Sequence, residues 1–112
     1  MTTARLHRIS DAVAFAPEGH TGVSPVRLTG TAPGESLSVV MSSYEPGAHA
    51  DRSPVALDTV YLVLAGRLTV SIDSEQIELT RLDSLFLPAG CVRAVDNLTS
   101  EPASMLVIRP RQ

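Results

Sequence analysis

The chain has no lysine, a single cysteine and no long apolar run, and each shortage closes off a class of function. Without lysine there is no Schiff-base nucleophile, and no lysine for a P-loop or kinase phosphate site. With Cys91 alone there is no internal disulfide and no thiolate metal cluster. No stretch approaches the roughly 18 apolar residues of a membrane helix. Met1 to Arg5 leads into no apolar signal region, so a cytoplasmic location and no membrane partner are expected. Basic charge is short as well: nine arginines face twelve acids, for a net charge of −3, and they form no cluster. A nucleic-acid partner would need a basic patch or a DNA-reading helix, and neither is visible.

What is present fits one ordered domain. The 112 residues are 44% hydrophobic and 19% charged, ordinary proportions for a chain that buries a core. Eight prolines and seven glycines interrupt the chain too often for a long helix. Between them the apolar pattern has period two. Leu68, Val70 and Ile72 alternate with Thr69 and Ser71. A polar turn over residues 73–76 follows, and then Ile77 and Leu79 alternate with Glu78 and Thr80. This predicts a hairpin with one buried face. Residues 59–64 are apolar on both faces and rich in β-formers, as a central strand would be.

Further strands are expected at Leu37–Ser43, ending on the turn signal Glu45-Pro46-Gly47, and at Ser84–Leu87, Cys91–Val95 and Met105–Ile108. Residues 11–15 and 26–28 are strand-like pieces of a looser beginning. The reading is all-β, a sandwich or barrel of short strands. Residues 1–35 would supply an N-terminal arm with edge strands, and residues 36–112 the barrel core.

Two segments carry a resemblance. The first holds Pro46-Gly47, His49-Ala50-Asp51 and Tyr61-Leu62-Val63-Leu64-Ala65-Gly66. The second reads Asp83 to Pro88-Ala89-Gly90, then Arg93, then Asn97. In this order they resemble the two conserved motifs of the cupin superfamily, which implies a small single-domain jelly-roll barrel. Metal-binding cupins place two histidines, a glutamate and a third histidine inside the barrel. Carried over position by position, the resemblance puts His49, Asp51, Thr59 and Arg93 there. Threonine is a poor ligand and arginine a fixed cation, so no metal and no cofactor are expected.

Strand parity then proposes a pocket. If Thr59 faces inward, Tyr61 and Val63 do too, and His49 and Asp51 do so on their own strand. Arg93 shares a face with Val95 and Asn97, while Met41, Val39 and Phe86 would add apolar wall. His49, oriented by Asp51, is the candidate to move a proton, and Tyr61 is either a third catalytic member or core. An inward arginine is costly to bury unless an anion satisfies it, either Asp51 or a ligand carboxylate. Arg93, Met41, Val63 and Phe86 are therefore the candidate ligand-binding residues. His20 reads as a surface-loop residue unless the arm folds over the barrel mouth.

The function this implies is binding of a small, carboxylate-bearing anion, with metal-independent lyase, isomerase or cyclase chemistry as its catalytic form. One alternative is a divergent metal-dependent dioxygenase or isomerase recruiting Asp58 or His20. The other is a structural or regulatory barrel plugged by an Asp51–Arg93 pair. A homodimer is expected, because a short open barrel leaves sheet edges to cover.

Overall fold

Residues 4–111 are described by the computed structural model. Among these described residues, nine strands and one short 3-10 turn (Ile9–Asp11) make up the order. The strands are β1 Val13–Ala14, β2 His20–Thr29, β3 Leu37–Pro54, β4 Thr59–Ala65, β5 Leu68–Ile72, β6 Glu75–Leu79, β7 Ser84–Leu87, β8 Val92–Asp96 and β9 Ala103–Pro110. One sheet runs β6-β5-β8-β3-β9-β4-β7, and β2 joins it on β3 while β1 pairs with β2. The result is a nearly closed all-β barrel. No described helix is long and apolar enough to cross a membrane.

β3 organises the molecule. The turn signal at Glu45-Pro46-Gly47 does not end this strand; it bends it, with Gly47 at φ +81°. Before the bend, β3 pairs with β9 from Leu37↔Pro110 to Tyr44↔Ala103. After it, β3 pairs with β8 at His49↔Asp96 and Ala50↔Val95. A register shift then intervenes before Ser53↔Arg93. Such a bulge re-aims the side chains that follow it. Ala48 and Ala50 are buried before the shift and Val55 after it, so the inward parity changes from even to odd.

The hairpin β5–β6 forms as its alternation predicts, with Ile72 paired to Glu75 across a two-residue loop. Asp73 takes φ +53° there, a left-handed conformation that such tight hairpin loops require. The two strand-like pieces near the start pair with each other, Val13↔Arg27 and Ala14↔Val26. Leu68, Val70, Val63, Leu87 and Val95 are fully buried and anchor the core. Each such side chain contributes about 1.5–3 kcal/mol through removal from water.

Candidate functional site

The sheet encloses a cavity of about 270 Å³. Val40, Ser42 and Tyr44 line it from β3, Thr59 and Tyr61 from β4, and Arg93 from β8. β9 adds Met105, Val107 and Arg109, and the N-terminal segment closes one side with Phe15, Pro17 and His20. No aspartate or glutamate is among the residues lining it. A cavity with two guanidiniums and an imidazole, in a chain of net charge −3, is a local inversion of charge.

Arg93 sits at the buried end of this arrangement and is only 9% exposed. Its Nε donates to the Tyr61 hydroxyl at 2.7 Å. Its Nη1 donates to the Asp51 carbonyl at 2.9 Å and to the Ser53 hydroxyl at 3.0 Å. Among the described residues no carboxylate forms an ion pair with it. Among the described residues Nη2 has no hydrogen-bond partner. Every sealed side-chain nitrogen or oxygen among the described residues is satisfied, so this nitrogen is not sealed off, and it belongs to a side chain that lines the cavity. The same holds for the Tyr44 hydroxyl, on a residue 2% exposed. Burial, reinforced by neighbouring Tyr61, pushes the Tyr44 phenol above its ordinary range, against the opposing pull of Arg93. It therefore stays a neutral hydrogen-bond donor. Because the Tyr61 oxygen accepts from Arg93, its own proton also remains free to donate.

Several expected site residues lie elsewhere. His49 and Asp51 fall on the outer face of β3, opposite the buried Ala48 and Ala50. There the His49 ring bridges two carboxylates, Nδ1 to Asp96 at 2.7 Å and Nε2 to Asp51 at 3.0 Å. The Asp51 carboxylate, 64% exposed, does not meet Arg93; only its backbone carbonyl does. An Asp51–Arg93 plug is thus absent. The reason is the parity of β3, where Val40, Ser42, Tyr44, Ala48 and Ala50 put the even positions inside and leave the odd His49 and Asp51 outside. Met41 and Val39 face away from the cavity, since Val40 and Ser42 point into it. Phe86 is 59% exposed, and Val63 lies in the packed core without lining the cavity. Tyr61 and Arg93 do come together in it. Asp58 accepts the Ala89 N–H at 2.9 Å and braces the turn before β8.

The cupin resemblance raises a metal, and the residues present can be tested for one. The pair with histidine-x-histidine spacing that stands on the cavity side near Thr59 and Arg93 is Ser53 and Val55. The four positions then offer a serine hydroxyl already accepting from Arg93, an apolar side chain, a threonine and a guanidinium cation. Thr59 donates its hydroxyl to the Leu57 carbonyl at 2.8 Å. Such donors do not fit a transition metal. Sequence reasoning overlooked Tyr44, Ser53 and Arg109. The signal for the first lay in the run Ser38-x-Val40-x-Ser42-x-Tyr44, where small and polar residues alternate inward.

The comparisons with known proteins agree with the fold. The family described as "Cupin domain" matches residues 40–109. A protein of Mycobacterium tuberculosis named "Beta-D-galactosidase Rv1717" is 38% identical over 105 residues, covering 92% of this chain and 90% of that one. Among solved structures, the polyketide cyclase RemF of Streptomyces resistomycificus superposes with a TM-score of 0.84 at 17% identity, over 99% of this chain and 81% of that one. KdgF from Halomonas gives 0.78 at 17% identity, over 98% of this chain and 96% of that one. At such identities these two likenesses concern the fold alone.

Proposed function

The chain belongs to the cupin family, and on that premise we propose that its barrel binds a small organic anion and acts on it without a metal. The observation that carries this reading is the Arg93 guanidinium, buried, unpaired by any acid among the described residues, with Nη2 unengaged, in the wall of a cavity whose lining has no carboxylate. A carboxylate or enolate oxygen satisfies that nitrogen, and the Tyr44 and Tyr61 hydroxyls supply further donors around it. The walls, Val40, Val55, Met105 and Val107, suit an apolar body attached to the anionic group. Lyase, isomerase and cyclase reactions pass through anions of this kind and fit the donor set.

The relative named a β-D-galactosidase suggests a second reading, hydrolysis of a galactoside. In its usual form that chemistry uses two carboxyl groups flanking the scissile bond. The cavity contains neither, so the anion reading has the better physical support.

Calorimetric titration separates the two. Benzoate and phenylpyruvate should bind at least ten-fold more tightly than the neutral isostere benzamide or than galactose. Purified, dialysed protein should carry well under one equivalent of transition metal. Equal affinity for benzoate and benzamide, or preferential binding of galactose, would overturn the proposal.

A further inference from the structure

His20 does not remain on a surface loop: it opens β2 and lines the same cavity as Arg93. Its Nδ1 lies 2.8 Å from the Glu18 carbonyl. A carbonyl only accepts, so Nδ1 carries the proton in that bond and a neutral ring presents Nε2 as a lone pair. Nε2 has no protein partner among the described residues. The cavity lining contains no carboxylate and no other imidazole. Whatever base operates in this cavity, the lining offers His20 for the task. The backbone explains the ring's placement. Gly19, at φ +71°, turns the chain tightly against Asp51, and its carbonyl accepts the Asp51 N–H at 2.7 Å. The start of β2 is thereby pinned beside the bulge that positions Arg93.

We infer that His20 is the proton-transferring catalytic residue of the cavity, and that its substrates are carbon acids. These are small carboxylates bearing an acidic C–H next to a carbonyl. The inference rests on the reading of the cavity as an anion site. In the step, His20 Nε2 takes the proton and the C–H bond breaks. Its electron pair becomes the carbon–carbon double bond of an enolate, whose negative oxygen is held by Arg93 Nη2 and a tyrosine hydroxyl. Return of a proton from Nε2 to carbon completes an exchange or an isomerisation, and nothing else is consumed. Placed in a reaction class, this is enolisation. His49, on the outer face between Asp51 and Asp96, takes no part.

The test uses phenylpyruvate in deuterated buffer, with loss of its benzylic protons followed by NMR and its binding by calorimetry. Wild-type protein should bind it and accelerate exchange above the buffer rate. His20→Gln should bind it within about three-fold of wild type while its enzyme-dependent exchange falls by roughly 100-fold or more. His20→Ala should recover part of the rate when free imidazole is added. Binding without accelerated exchange in the wild type overturns the inference and leaves the anion site standing, as does undiminished exchange in His20→Gln. No binding of phenylpyruvate at millimolar concentration overturns both.

Discussion

Arg93 has its five N–H groups divided between protein and cavity. Nε and both Nη1 hydrogens hold Tyr61, the Asp51 carbonyl and Ser53, which fixes the plane of the guanidinium. The Nη2 pair is left for a ligand, so the cation is pre-organised before anything binds. Arg93→Met keeps most of the stem and removes the charge. A charge-assisted bond of about 1.5–3 kcal/mol is lost, so benzoate affinity should fall by roughly 10- to 100-fold in calorimetry. His49→Ala should leave that affinity within about two-fold of wild type, because the ring lies on the outer face. If His49→Ala weakened binding as much as Arg93→Met, the assignment of faces would be wrong. That Arg93 and Tyr61 line the cavity was legible in the sequence, Arg93 from its place in the second motif and Tyr61 from its parity with Thr59. His49 and Asp51 were misread for a definite reason: the apolar odd positions Val39 and Met41 read as the inner face of β3, whereas the even positions are the buried ones.

Elements in this molecule are positioned by bonds at their bends rather than by their strands alone. Asn97, fully buried, directs Nδ2 to the carbonyls of Tyr44, Glu45 and Glu101, while its Oδ1 accepts from the Thr99 N–H and hydroxyl. It thereby clamps the β3 bend, beside Tyr44, to the turn after β8. Asn97→Ala strands several buried backbone acceptors, each worth about 1–3 kcal/mol when left unsatisfied. Chemical denaturation should show a loss of at least about 2 kcal/mol; a loss below 0.5 would contradict the clamp. The N-terminal arm is latched differently. Glu35 accepts from His7, from the Gly30 and Ala32 N–H groups, and lies 3.8 Å from Arg5. The His7 bond first, then that from Gly30, lowers its carboxyl from 4.5 to about 2. A depressed folded value means that the unfolded state binds the proton more readily. The latch therefore stabilises fully above about pH 4.5 and is lost as pH falls toward 2. The melting difference between wild type and Glu35→Gln should be largest near neutrality and shrink on acidification through that window. A difference independent of pH would rule the latch out. At this scale the hairpin β5–β6 was readable because burial of one face imposes a period of two, and β4 because it is a continuous run of β-formers. The continuation of β3 through Pro46-Gly47 was not, because a Pro-Gly pair marks a bend and an end alike.

Taken whole, the molecule is an acidic barrel around a cationic interior. A cavity also explains why the inward side of early β3 was hard to read. The cavity wall carries the small, polar Ser42 between Val40 and Tyr44, while Leu37, Val39 and Met41 lie outward, reversing the usual alternation. The sheet remains open between β6 and β7, and Leu6, Ile9 and Val13 of the arm are 64–72% exposed. Exposed apolar side chains on the arm and uncovered strand edges each fit pairing with a second copy. Light scattering should accordingly give the mass of two chains at micromolar concentration, and a monomer would contradict this. The central claim, that Arg93 holds an anion where other cupins hold a metal, is tested most directly by a crystal soaked with para-bromobenzoate. The account predicts the bromine's anomalous peak inside the cavity, with the carboxylate in hydrogen-bond contact with Arg93 Nη2. A metal coordinated at Ser53 and Thr59, or the carboxylate bound away from Arg93, would contradict it.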